Sequence, residues 1–228
     1  FNWALSKIRP EVQWVLRIDA DERLSPEMGA FLRALIQGKT FDSGITGYSF
    51  PLAIKFMDSL LRFGGLSAVH QLRLFRNGLG YCERLEMDEH ISLVEGGVVR
   101  RPDRLEHLVS ERFEKWLEKH IRYASREAID CGRVTSGQDH GLPRTHPAFW
   151  RRYWKTKVYY RLPLFTRPIL FWLYRYVLLG GFLDGRAGFV YHFFQCLWYR
   201  STVDLLVYQD RQLVGREVRV SVAEADND

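Results

Sequence analysis

The stretch WVLRIDADERL, Trp14 to Leu24, decides how the chain is read. It runs apolar for several residues and then sets Asp19, Asp21 and Glu22 almost side by side. Like charges crowded at a strand end repel. They persist where water solvates them, or where a cation or positive ligand stands between them. The apolar run predicts a short buried strand over Gln13–Ile18, followed by a loop over Ala20–Leu24. Ser25-Pro26-Glu27 then marks a helix start, with Ser as N-cap, Pro at the first position and Glu in the first turn. That helix shows Met28, Phe31, Leu32 and Leu35 on one face and stops near Gly38. Strand, acidic loop and helix in this order suggest an α/β unit. Functional residues in such units gather at the carboxyl ends of strands, where Asp19 and Asp21 stand.

Outward from this stretch, Asn2–Ile8 reads as the end of a helix stopped by Pro10. Gly47–Ala53 and Gln71–Phe75 read as strands, with a helix and turn across the apolar Lys55–Ser67. Leu93–Arg100 reads as one further strand. Glu111–Gly132 has strong helical periodicity, with Phe113, Trp116, Leu117, His120, Ile121 and Ala124 on one face. Gln138–Pro147 is a polar, Gly- and Pro-bearing connector and marks a boundary between residues 1–137 and a segment over 148–210. A polar tail over 211–228 closes the chain.

The 228 residues are 46% apolar and 14% aromatic, enough for one substantial core. The net charge of +6 favours an anionic partner. That charge is unevenly spread. Phe149–Arg200 holds nine Lys and Arg against one acid, Asp184, so the remainder of the chain is slightly acidic. The same segment holds 18 of the 33 aromatic residues. Its apolar run Leu162–Leu183 is broken by Arg167, Pro168, Arg175 and Gly180-Gly181, which argues against a membrane span of ~20 residues. A basic, aromatic, amphipathic helix pair fits a membrane interface, and equally an ordinary helical subdomain packed on the core. Cys82, Cys131 and Cys196 are odd in number and lack metal spacing, which reads as reduced thiols in the cytosol.

Three constellations carry chemistry. Asp19-Ala20-Asp21, with Glu22 beside it, offers oxygens to a hard cation such as Mg²⁺ or Mn²⁺. Such an ion stabilises a departing diphosphate. A solvated acidic loop reads the same residues without a ligand. EMDEHI, Glu86 to Ile91, sets Asp88, Glu89 and His90 together, and either carboxylate is a candidate general base. A polar turn is the plainer reading. QLRLFRNG, Gln71 to Gly78, sets Arg73 and Arg76 three apart, and their guanidinium forks suit phosphate oxygens. Surface arginines at a strand end are the alternative. His107 reads as a further metal ligand or a core histidine, with a lean to the core. P-loop, dinucleotide-binding and serine-hydrolase motifs are absent from the sequence.

The order NWAL, WVLRIDADERL, RLFRNG, MDEHI, W-x-x-K-H-x-x-Y-A and GFLDG resembles the bacterial family 2 glycosyltransferases. The nearest subgroup builds lipopolysaccharide cores, capsules and exopolysaccharides. The resemblance runs from Asn2 to about Tyr208. It implies a GT-A, Rossmann-like nucleotide-sugar transferase domain followed by a basic-aromatic helical segment. It implies an inverting transfer of sugar from a nucleotide-sugar to a hydroxyl of a saccharide or lipid-linked saccharide acceptor. Asp19 and Asp21 would hold the cation, and Asp88 or Glu89 would act as base, with Asp88 preferred. Glu22, Arg73, Arg76, His90, Lys119 and His120 would contact the donor diphosphate or the acceptor. The resemblance further implies a cytoplasmic enzyme lying on the inner membrane; no nucleic-acid partner is expected. The family starts with a strand, an acidic nucleotide-binding loop and a second strand, so a truncation ahead of Phe1 is expected. Two rival readings stand beside this one. They are a metal-dependent phosphoryl or nucleotidyl transferase and a non-enzymatic peripheral membrane or nucleic-acid binding module, the nucleic-acid version weakened because the basic segment is saturated with bulky apolar residues.

Overall fold

The computed structural model describes residues 1–39, 44–66, 69–83, 90–109, 112–137, 146 and 148–225, with the backbone alone over 214–225. The chain is mixed α/β. A short helix α1 (Asn2–Leu5) leads through turns into strand β1 (Trp14–Leu16). The expected acidic loop contains a strand of its own, β2 (Glu22–Leu24), ahead of helix α2 (Pro26–Ile36). Ser25 caps α2 by accepting the Met28 N–H at 3.2 Å. There follow β3 (Ile45–Phe56), β4 (Ser59–Leu60), β5 (His70–Arg76), β6 (Gly80–Cys82), β7 (Ile91–Leu93), β8 (Gly97–Arg100) and β9 (Leu105–Val109).

The main sheet runs β1-β5-β3-β9-β2, with β4 and β8 also paired to β3. Only β8 and β9 lie parallel to β3; β1–β5, β3–β5 and β2–β9 are antiparallel. The sheet is thus mixed rather than parallel. The link from β3 to β5 is spent on a hairpin, which reverses the chain without the crossover a parallel neighbour needs. Met57 and Asp58 both take positive φ, 47° and 59°, and Phe56 pairs with Ser59. This is a two-residue hairpin turn of the hand that strand twist favours. It replaces the helix expected within Lys55–Ser67. The strand expected over Leu93–Arg100 is also divided. Gly96 takes φ +88°, and a Cβ there would strike the Thr46 side chain at 2.2 Å.

One core lies between α2 and the sheet. Met28, Phe31 and Leu35 pack on Tyr48, Phe50, Leu74 and Leu105. Burying these three helix side chains contributes about 5–9 kcal/mol before entropy. On another part of the sheet, Leu72 and Phe75 meet Cys82 and Ile91. Tyr48 pairs with Leu74 but Ser49 pairs with Leu72, so Arg73 is an extra residue in β5. Such a bulge re-aims its side chain.

The helical segment comprises α3 (Phe113–Thr135), α4 (Phe149–Lys157), α5 (Thr166–Leu173), α6 (Gly185–His192) and α7 (Tyr199–Ala225). A π turn over Tyr174–Leu178 prolongs α5, and another over Phe193–Trp198 joins α6 to α7. The expected polar tail is therefore largely a continuation of α7. The boundary connector over 138–147 lies almost wholly outside the described residues. Ala124, Ala128 and Cys131 of α3 pack on Tyr199, Val203 and Val207 of α7 and on Tyr160. Ile121, expected on the same face, is half exposed. Asp184 of the GFLDG motif joins this segment to the connection after β4, accepting the backbone N–H groups of Arg62 and Phe63 at 2.9–3.1 Å. Among the described residues, no helix is long and apolar enough to cross a membrane.

Candidate functional site

Beyond β1 the chain makes one tight turn, Asp19 to Glu22, closed by the Glu22 N–H on the Asp19 carbonyl at 2.9 Å. The Glu22 carboxylate returns to accept the Asp19 N–H, also at 2.9 Å. This reciprocal pairing turns the Glu22 side chain inward and leaves that of Asp19 41% exposed. Arg73, delivered by the bulge in β5, donates to Asp19 Oδ2 at 2.9 Å and to Glu22 Oε1. Arg17 holds Asp19 Oδ1 at 3.3 Å. The crowding of carboxylates is thus relieved from within the chain. Burial alone would raise Asp19, but the Arg73 and Arg17 guanidiniums hold its carboxyl below the usual carboxylate value. Burial pushes Glu22 the other way, against the pull of the Asp19 N–H and Arg73.

Asp21 faces elsewhere. Its carboxylate lies 3.6 Å from His107 Nδ1 and 3.4 Å from Lys119 Nζ, and its side chain is about a third exposed. Strand pairing sets this arrangement, because Glu22 of β2 is in register with His107 of β9 and Leu108 N–H donates to the Asp21 carbonyl. The lean towards a core His107 therefore gives way to a place beside the carboxylate. Asp21 and His107 offer one oxygen ligand group and one imidazole. This fits a divalent cation that takes its remaining ligands from a diphosphate and water. Among the described residues no group of three or more His, Cys, Asp and Glu side chains forms a complete protein cage. The Asp19 carboxylate is held by two arginines, Arg17 and Arg73.

The remaining sequence candidates divide. Arg73 and Glu22 are structural partners of the turn, and the Glu22 side chain is almost wholly buried. Arg76 stands opposite Trp14 at the start of β1, stacked 4.5 Å above its ring, whereas Arg73 stands opposite Arg17. Three residues of strand, roughly 10 Å, separate the two arginines. Lys119 reaches Asp21. Its neighbour His120 stacks on Trp116 at 3.6 Å with Nδ1 on the Trp116 carbonyl, inside the α3–α7 packing. Asp88 and Glu89 lie outside the described residues.

The ends of the 84–89 stretch are described, and residues the sequence reading passed over hold them. Glu83 N–H donates to the His90 carbonyl at 3.1 Å. The Glu83 carboxylate accepts two hydrogen bonds from Arg152 of α4, at 2.5 and 2.8 Å, and lies 3.4 Å from His90 Nδ1. Burial would raise Glu83, and its hydrogen bonds from His90 and Arg152 hold it down at about 2. Arg17 Nη1, 3.5 Å from Cys82 Sγ, links this base to Asp19. Asn2 of the NWAL motif clasps the Cys82 backbone on both its N–H and its carbonyl. An Arg two residues before Asp19 was the one legible signal among these, since side chains two apart on an extended chain share a face. The chain matches no family model and no curated protein.

Proposed function

We propose that the chain is a divalent-metal-dependent, inverting glycosyltransferase of GT-A, Rossmann-like, family 2 type. It would move sugar from a nucleotide-sugar to a hydroxyl of a cell-envelope saccharide or lipid-linked saccharide at the cytoplasmic face of the inner membrane. The observation that carries this reading is the division of the DAD motif. Asp19 is locked to Arg73 and Arg17, and Asp21 is presented to His107 and Lys119.

Asp21 and His107 would hold Mg²⁺ or Mn²⁺. The bound ion would supply charge to the leaving diphosphate. Lys119 adds a cation at the same place. Asp88, or Glu89 next to it, would take the proton of the acceptor hydroxyl. The oxygen then attacks the anomeric carbon, and the bond to the diphosphate breaks with its electron pair on the leaving oxygen. Arg17 touches Asp19 on one side and Cys82 on the other, which supports a shared site.

The test is transfer from a panel of nucleotide-sugars to lipopolysaccharide-type acceptors with Mn²⁺, followed as nucleoside diphosphate release. Acceptor-dependent release that falls roughly 100-fold in Asp21→Asn supports the reading. Release that ignores the acceptor would move it towards phosphoryl or nucleotidyl transfer.

A further inference from the structure

Helix α5 and the π turn that prolongs it are built inside out. Their charged side chains point into the protein. Arg167 is 1% exposed and bonds Asp204, which is fully buried, through Nε at 2.7 Å. Arg175 donates Nε to the Gly64 carbonyl at 2.6 Å. The outward face is apolar. Ile169, Leu170, Leu173, Tyr174, Val177 and Leu178 are each 41–76% exposed. They form two rows at i, i+4, i+8 spacing, which lie side by side on a helix as one stripe. Phe182 and Leu183 carry it around the following turn. A helix of a water-soluble domain turns the opposite way, and monomers rarely leave apolar patches of this extent uncovered.

Charge selects what covers it. Asp184, the one acid between Phe149 and Arg200, is turned onto the Arg62 and Phe63 amides. Exposed arginines flank the stripe in the sequence, Arg161 ahead of α5 and Arg186 after the turn, and Arg62 is exposed beside Asp184. The stripe is made of Ile, Leu and Val with one Tyr. Protein-binding hot spots favour Trp, Tyr and Arg instead, with Leu and Val under-represented. Apolar side chains fringed by cations match the boundary between acyl chains and anionic headgroups.

We propose that this stripe and turn dock on a bilayer containing anionic lipid. Leu173, Val177 and Leu178 enter the acyl-chain boundary, and Arg62, Arg161 and Arg186 meet headgroup phosphates. The proposal rests on the peripheral part of the reading above and is independent of the transfer chemistry.

Co-sedimentation with phosphatidylglycerol vesicles, against phosphatidylcholine vesicles, tests it. The wild-type chain should favour phosphatidylglycerol at least tenfold. Leu173→Glu with Leu178→Glu should lower that binding more than tenfold with the melting temperature unchanged, because both positions are exposed. Arg161→Gln and Arg186→Gln should each cost roughly fivefold on phosphatidylglycerol alone. Transfer to a lipid-free soluble acceptor should match wild type in all these variants, so loss of docking and absence of transfer are read separately. Equal binding to both vesicles, or wild-type binding by the Leu173/Leu178 variant, would overturn the proposal. So would a wild-type dimer in solution that the same variant dissociates, since a second copy would then cover the stripe.

Discussion

Between Asp19 and Glu22 a single backbone hydrogen bond bends the chain, and three carboxylates leave that bend in two directions. Asp19 and Glu22 share Arg73, whose side chain is 7% exposed. Removing one partner of a buried ion pair leaves the other charge stranded. Arg73→Met should therefore destabilise the chain by about 3–5 kcal/mol in urea unfolding. Two other residues set the response to acid. His192 is wholly buried, and burial holds it down to about 4 from an ordinary 6.5. It stays neutral in the folded protein while the unfolded chain takes up a proton, so stability falls as pH drops from 6.5 to about 4. Glu83 is held at about 2 against an ordinary 4.5. Its contribution is present above 4.5 and lost as pH falls through about 2. Each window is worth on the order of 3 kcal/mol. In unfolding measured against pH, His192→Asn should flatten the upper window and keep the lower. Glu83→Gln should do the reverse.

At the scale of elements, the legible parts were those with a local cause. The capped helix α2, the long α3 and the cores of β1, β3 and β5 follow from periodicity and from Ser25-Pro26. Two elements escaped because distant partners create them. β2 is three residues of an acidic loop until Leu105–His107 pair with it, and β9, though Pro102-Asp103 marks a turn ahead of it, has no strict alternation to announce it. The β3–β4 hairpin escaped for a different reason. Its turn is Met57-Asp58, without the Gly or Asn that positive φ favours. Each such residue bears a strain of about 1 kcal/mol. Asp58→Gly should therefore raise stability by about that amount, with Tm as the readout. The bulge at Arg73 was illegible because it is a property of pairing with β3. Without it, Arg73 and Arg76 look like one phosphate fork. With the strands in place, Arg73 supports the acidic turn and Arg76 lies on Trp14.

Over the whole molecule, the helical segment is fastened by charges buried among its rings. Glu127 of α3 accepts from Tyr160 at 3.1 Å and Tyr199 at 2.7 Å, and it pairs with Lys155 and Arg200. The same segment reaches the candidate site twice, through Lys119 on Asp21 and Arg152 on Glu83. Composition alone showed a basic, aromatic, helical region. It did not show that the arginines of α5 face inward and its leucines outward, because the Asp204 partner is 37 residues away. Asp204→Ala, which strands Arg167, should cost about 3–5 kcal/mol, read by thermal unfolding. It should also weaken vesicle docking by disordering the stripe.

The division between Asp19 and Asp21 is the centre of the functional reading. Mn²⁺ titration in the presence of UDP, followed by the loss of the free-ion paramagnetic resonance signal, tests it directly. The expected result is Mn²⁺ binding that weakens at least tenfold in Asp21→Asn and in His107→Gln, since loss of an outer-shell partner alone already costs a metal site about that much. Asp19→Asn should keep most of the binding and lose stability instead. Undiminished Mn²⁺ binding by Asp21→Asn would contradict the assignment and return the turn to a purely structural role.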